Sequence, residues 1–487
     1  MRINWNEPKF DEDELREIEK IIRDSYVNEG PKTKELEEEL KKYLGVKYVI
    51  LTANATAGLF LAVMADAVIK GKKEFEVIVP DMTMIATATS VNWAGGKPIL
   101  VDVEKERGTL DLNKIEEKIT LKTTAIIPVH VLGRAVDMEK LNKIAEKYRL
   151  SVIEDSAGAL GSKQNGIFLG TLGKVGVFSL QSNKIITSGQ GGIIVTDDEK
   201  YYETIRRLRD FGRLSNKEFI HQEIGYNLKF SDLSAALAIA QFRKIDERKK
   251  MLLKQKEIYE RELKEIKEIK FFPYYNEEIP LWIDVIVNNR KELIDFLKQN
   301  EIYSRECWPA IHQNPPYATQ GTDANFPNAS FMANNCLWLP NGPAINEEQI
   351  IYICNKIKEF HNKGKNQMEL KKIHEDKRGF IYLVKDLLED DKEFTFMEIK
   401  NGFARGGCLH SKDENFVVIK GKVRVVSGNR EWITNQGESG KFPAGEPHAF
   451  IALEDSIVSE WGITTEEKEA DIKDPKLRSV VDEANRN

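Results

Sequence analysis

Cysteine is scarce in this chain. Four residues, Cys307, Cys336, Cys354 and Cys408, occur among 487, and no two of them form a C-x-x-C pair. That usage supports neither a disulfide framework nor a structural zinc knot. No apolar run reaches the roughly 18 residues that a membrane-spanning helix needs. The opening MRINWNEPKFDEDE is acidic and polar, the opposite of a secretory signal, so a cytoplasmic protein is expected. Neither charge sign prevails: 72 Lys and Arg stand against 78 Asp and Glu, a formal net charge of -6. A general nucleic-acid or polyanion binder needs a basic excess to neutralise phosphates, and this chain has none. Internal repeats and low-complexity tracts are missing too. What is present is length, with 41% hydrophobic residues, so two or three domains are expected.

The first forty residues carry a helical apolar stripe (Leu15, Ile18, Ile22, then Leu36, Leu40, Leu44). Gly30-Pro31 separates two helices there, and Gly45 fits a C-cap. From Val46 onward, short Val/Ile-rich runs (VKYVILT, EVIVP, KPILVDV, TTAIIPVH, LSVIEDS) alternate with helical segments such as 58–69 and 138–148. Buried strands alternating with helices predict βαβ units and a mostly parallel sheet, whose ligands sit at the carboxyl ends of the strands. A long charged helical stretch over 233–270 leads into a smaller α+β segment that closes with a helix near 347–360. The polar stretch 363–370 reads as a linker. Beyond it, FTFMEI, FVVIKGKVRVVSG, REWITN and HAFIAL are short strands with frequent turn residues, which predicts a small β-barrel or sandwich over 371–487.

Four features fall at strand ends. Asn54-Ala55-Thr56-Ala57-Gly58 is a strand-to-helix turn of small residues, either an ordinary N-cap or an anion site at a helix N-terminus. Asp155 directly follows an apolar strand, as a helix cap or as a carboxylate awaiting a cationic partner. Lys184 lies in a polar turn between Ser179 and the glycines 189, 191 and 192; desolvation there makes an amine nucleophilic, whereas a solvated surface lysine is the plain alternative. Asn227 precedes a helix with apolar residues at helical spacing.

Taken in order, N-A-T, E-D-x-A, F-S-x-x-x-x-K, G-x-G-G and G-Y-N-x-x-x-S-D-x-x-A-A resemble the pyridoxal-phosphate (PLP)-dependent sugar aminotransferases of the DegT/DnrJ/EryC1/StrS family, over about residues 1–362. The segment SRECWPAIHQNPPY is similar to one in the branch acting at C4 of nucleotide-linked 4-keto-6-deoxy sugars. The resemblance implies a fold-type I, three-layer α/β architecture with a large part over about 1–245 and a small α+β part over 246–362. It implies that Lys184 carries the cofactor as a Schiff base and moves protons, and that Asp155 pairs with the pyridine nitrogen. Thr56, Ala57, Ser179 and Gln181 would hold the phosphate, and Asn227 would reach the phosphate of a neighbouring copy, so a homodimer is implied. Glutamate is the implied donor and a keto-sugar nucleotide the acceptor, with Arg305 and His312 in the substrate segment.

Several positions depart from the pattern. Met84 stands where a ring-stacking aromatic is usual, and Gly158 where His, Gln or Glu often lies near the ring hydroxyl. Ala55 replaces the usual Gly, and Gln190 the Glu of G-E-G-G. Some relatives carry His in place of the lysine and are dehydratases; Lys184 argues for transamination, with the dehydratase and a non-enzymatic scaffold as competing readings.

Gly406-Gly407-Cys408-Leu409-His410, Glu414 and Gly421, followed by Gly437, Pro443 and His448, resemble the two motifs of cupins, small jelly-roll barrels, with Cys408 and Ala452 replacing the expected His and Asn. A divalent metal on His410, Glu414 and His448, with Cys408 as a softer ligand, is one reading. A metal-free barrel is the other. ARGGCLHSK also resembles sugar-nucleotide ketoisomerases, so a bifunctional isomerase–aminotransferase is a further alternative. His361 and His374 read as solvated, Trp5, Trp282 and Trp338 as packing residues. His130 is either a structural hydrogen-bonding residue or a substrate contact.

Overall fold

The computed structural model describes residues 2–214, 220–365, 368–386, 392–462, 472–473 and 475–486. The chain divides into two compact units, 1–358 and 359–487.

The first unit is built on a seven-stranded sheet. Its strand order is Tyr48–Thr52, Gly192–Thr196, Val175–Ser179, Ser151–Asp155, Thr123–Ile126, Glu76–Pro80, Lys97–Val101. Gly192–Thr196 runs antiparallel to both neighbours, and the other strand pairs are parallel. Strands such as Val175–Ser179 are buried along their whole length, which is why they read as unbroken apolar runs rather than alternating ones. The helix Ala55–Lys70 is apolar nearly all round and buried along most of its length; Asn54 caps it and Gly71 ends it in the left-handed conformation. The small part adds a four-stranded antiparallel sheet in the order Ile269–Phe271, Ile283–Val287, Cys336–Leu339, Arg305–Glu306.

Two expectations change here. The helix Glu12–Asp24 does not bury its apolar stripe: Leu15 and Ile22 are 59% and 61% exposed, while Glu14 and Glu17 are buried. Ion pairing decides that rotation, because Glu14 accepts from Gln241 and from Lys244 at 2.9 Å. The stretch 233–270 is two helices, Asp232–Phe242 and Ile245–Leu263, broken at Arg243-Lys244, where the Lys244 amine reaches back to Asp11 and Glu14.

The interval 363–370 carries regular structure on either side of 366–367, which lie outside the described residues. Helix Glu347–Lys365 runs into it and strand Met368–Asp376 opens in it, so the described part of the interval is a helix end and the start of a strand. The second unit pairs a six-stranded and a five-stranded antiparallel sheet. Phe416, Val418, Val425, Phe442, Phe450 and Val458 fill its core, and Leu477 and Val481 of the helix Pro475–Ala484 cover Ala404, Val426 and Ala449.

Candidate functional site

The carboxyl ends of the parallel strands surround one cavity. Thr56 enters it from the first turn of Ala55–Lys70, Met84 follows Glu76–Pro80, Asp155 and Ser179 close their strands, and Gln181, Asn183 and Lys184 follow in the next turn. The small part contributes Trp282, Arg305, Trp308 and Trp338 to the same wall.

Asp155 is nearly buried. Its Oδ2 accepts the Thr87 hydroxyl at 2.8 Å and its Oδ1 the Ala157 N–H at 3.1 Å. Burial pushes its carboxyl above the ordinary range, opposed by those bonds and by the Lys184 charge. Burial also brings the Lys184 amine down to about 8, against the pull of Asp155. The Lys184 Nζ lies 5.1 Å from the centre of the Trp282 ring.

The capping turn at the edge of the cavity depends on a close backbone approach. A Cβ on Gly192 would stand 2.5 Å from the Asn54 carbonyl oxygen, so only glycine lets the capping turn dock on the sheet. The Ala57 N–H is taken by Asn54 Oδ1 at 2.9 Å, and Ala57 does not line the cavity; Thr56 does. The Ser179 hydroxyl lines it as well and accepts the Gln181 N–H at 3.3 Å.

The unusual positions have local explanations. Met84 is 46% exposed, and its sulfur accepts the Ala86 N–H at 3.1 Å, so the side chain folds onto its own turn. A Cβ on Gly158 would stand in ordinary contact with Leu132 and Leu281 at 3.4 Å, and Gly158 lines the cavity.

His130 lines the cavity but has both ring nitrogens engaged. Val136 N–H donates to Nδ1 at 3.2 Å, which assigns the proton to Nε2, and Nε2–H donates to Glu154 at 2.8 Å. Glu154 in turn accepts the N–H groups of Gly170 and Leu172, so His130 ties two loops together.

His312, expected in the substrate segment, is held by acidic partners. It is buried between two carboxylates, with Nδ1 2.6 Å from Asp81 and Nε2 2.9 Å from Asp323, and it does not line the cavity. Its raised pKa comes from Asp323 and Asp81, which outweigh the larger opposing effect of burial. The ring therefore anchors the segment after Arg305 to the end of strand Glu76–Pro80. Arg305 is exposed and lines the cavity, 5.3 Å from the Trp5 ring. Asn227 is exposed, bridges to Asp210 and lies outside this cavity.

Sequence reasoning missed Thr87, Asn183, Trp282, Trp308 and Trp338. Thr87 sits one helical turn beyond Met84 without any motif to mark it. The three tryptophans come from separate strands and loops that only folding brings together.

In the second unit His410, Glu414 and His448 are all buried, with ligand-type atoms within 4.8 Å of one another. The Nε2 atoms of His410 and His448 lie 3.2 and 3.0 Å from Glu414 Oε2. His448 Nδ1 points at the Glu446 carbonyl at 3.3 Å, which assigns the proton to Nδ1 and turns Nε2 toward Glu414. Phe442 stacks on His448 at 3.9 Å, fixing the ring plane, and Glu460, which the motifs did not signal, is 3.8 Å from Nε2. The Cys408 side chain lies outside the described residues; its backbone pairs with His448 beyond a register shift between Gly406 and Cys408. His374 is exposed, as expected, while His361 is half-buried.

Comparison with known proteins places both units. Residues 395–461 match the cupin domain model. GDP-perosamine synthase of Escherichia coli O157:H7 is 32% identical over 342 residues, 69% of this chain and 92% of that protein. The putative sugar aminotransferase Spr1654 of Streptococcus pneumoniae, solved in its PMP form, superposes with a TM-score of 0.69 at 26% identity, covering 74% of this chain and 98% of the other. Helicobacter pylori PseC, an aminotransferase involved in pseudoaminic acid biosynthesis, shares the fold at a TM-score of 0.71 and 22% identity over 74% of this chain and 100% of its own. The architecture is thus a fold-type I aminotransferase followed by a cupin, and since residues 8–358 match the model of the DegT/DnrJ/EryC1/StrS aminotransferase family, the chain belongs to that family.

Proposed function

We propose that this enzyme transfers an amino group from glutamate to a nucleotide-linked keto-sugar, a 4-keto-6-deoxy sugar, in surface-polysaccharide biosynthesis, as a cytoplasmic homodimer. The observation that carries the reading is the convergence of Lys184, Asp155, Thr56 and Ser179 on one cavity in a chain of this family. The name of its E. coli relative supports the sugar class.

The donor set fits pyridoxal phosphate. Lys184 offers an amine, Asp155 a carboxylate for the ring nitrogen, and Thr56 and Ser179 offer hydroxyls beside a helix N-terminus for the phosphate. When bound, that group supplies a carbonyl for amino transfer and a sink for the electrons released at the substrate carbon. Lys184 Nζ, brought down to about 8, would take the α-carbon proton of the donor in one half-reaction and would supply a proton to the sugar carbon in the other. Asp155, oriented by Thr87 and Ala157, would pair with the ring nitrogen and keep it protonated. Arg305 faces the acceptor's phosphate or the donor's carboxylate. Asn227, exposed on its loop, serves the cavity of a second copy.

A spectral titration tests this. Wild-type protein loaded with the cofactor is expected to lose its visible band on addition of glutamate and to regain it with a keto-sugar nucleotide. Lys184→Ala is expected to complete neither change. A band that glutamate leaves untouched, in protein that binds the cofactor, rejects the reading.

The His410–Glu414–His448 cluster favours a second reading, for the C-terminal unit. Two imidazoles and a carboxylate, buried together, suit a divalent cation. Isomerase or epimerase chemistry on the same sugar would then precede amination.

A further inference from the structure

The turn that carries Lys184 is clamped on both sides of that residue. The Trp282 indole N–H donates to the Asn183 carbonyl at 3.1 Å, and Arg248 Nη1 donates to the Ile185 carbonyl at 2.9 Å. Trp282 does more than Arg248, because its ring also stands 5.1 Å from the Lys184 amine. One side chain of the small part thus touches two consecutive residues of the large part.

That side chain is itself fixed. Trp282 is buried, with Trp5 edge-on at 4.8 Å, Trp338 at 4.6 Å and Trp308 at 5.8 Å between ring centres. The backbone is pinned on the N-terminal side: Leu281 N–H donates to Leu132, and the Leu281 carbonyl accepts Asn341 Nδ2. On the C-terminal side, strand Ile283–Val287 pairs with Cys336–Leu339. An indole held on so many sides is a rigid reference surface, which a flexible lysine stem lacks.

We propose that Trp282 is a positioning residue for Lys184, fixing the Asn183 carbonyl through its N–H and shielding the Lys184 amine from water with its ring. The inference rests on the reading of Lys184 as the reacting amine. It gives the tryptophan cluster a role beyond packing and couples the small part of the enzyme to the group that moves protons.

The test uses full-length protein freed of cofactor. Acetic anhydride labelling followed by mass spectrometry reads the fraction of Lys184 in its neutral, reactive form as pH is raised, with no need for turnover. Wild type is expected to show a midpoint near 8. Trp282→Leu, which admits water to the amine, is expected to raise that midpoint by roughly one unit toward an ordinary lysine. In loaded protein, Trp282→Phe keeps an aromatic face but loses the N–H, and is expected to lower kcat of the glutamate half-reaction about tenfold with KM little changed.

A Trp282→Leu midpoint at or below the wild-type value, in protein that melts cooperatively, overturns the proposal. If Trp282→Leu does not fold, Trp282→Phe decides: wild-type kcat overturns it. Either result leaves the aminotransferase reading intact provided glutamate still bleaches wild type. Lys184→Ala that glutamate bleaches normally removes both.

Discussion

Thr87 donates its hydroxyl to Oδ2 of Asp155 at 2.8 Å, across 68 residues of sequence. The bond favours the ionised carboxylate that burial disfavours, and an ionised Asp155 is what a protonated pyridine nitrogen needs. Thr87→Val keeps the shape and removes the donor. Since a hydrogen bond to a charged group contributes about 1.5–3 kcal/mol, the affinity for pyridoxal phosphate is expected to fall on the order of tenfold or more. Equilibrium titration with the cofactor checks this, and unchanged affinity would show that Thr87 is dispensable.

Cofactor capture should follow the ionisation of Lys184. The attacking species is the neutral amine, and burial lowers its pKa to about 8. The rate at which cofactor-free protein develops the visible band is therefore expected to rise with pH through about 8 and then level off. Stopped-flow absorbance across pH measures it; a rise continuing toward about 10.4, the ordinary lysine value, would contradict the desolvated amine.

His312 predicts a pH-dependent contribution to stability. Its folded pKa is raised by Asp323 and Asp81 despite burial. The stabilisation is fully present below its ordinary value of about 6.5 and is lost as pH rises through the folded value. Thermal melts from mildly acidic to alkaline pH are expected to show wild type losing its advantage over His312→Gln in that window. A constant difference across pH would mean that the ring acts neutrally.

Gly192 lets the Asn54 capping turn lie against the sheet. Gly192→Ala places a methyl 2.5 Å from the Asn54 carbonyl, and the repacking is expected to cost about 1–3 kcal/mol and to weaken cofactor binding. Denaturant unfolding and cofactor titration report the two effects; a neutral outcome in both would mean that the turn shifts freely.

The cupin cluster predicts metal-linked stability. A ligand that binds only the folded state stabilises it, so Mn²⁺ or Zn²⁺ in excess is expected to raise the melting temperature of wild type. Glu414→Gln loses the carboxylate that both imidazoles face, and its melting temperature is expected not to respond. An equal response in the variant would place the cation elsewhere.

Strand-and-helix alternation, the positions of Asp155 and Ser179 at strand ends with Lys184 in the turn that follows, and the cupin spacing were all legible in the sequence. Each is a local signal: apolar run length, a turn rich in small residues, a fixed interval between motif residues. The stripe Leu15–Ile22 misled because apolar periodicity cannot see a buried Glu14 drawn to Lys244, more than two hundred residues away. The orientation of His312 was hidden for a related reason, since its two carboxylates decide it and one of them, Asp81, lies on a different strand end. The sequence by itself therefore determined which backbone ends meet at the cavity and which residue types stand on them. Only the tertiary structure decided how those residues are tuned. The fall of the Lys184 pKa, the Thr87 bond to Asp155 and the tryptophan wall all depend on desolvation and on contacts between distant segments, and neither exists until the chain has packed.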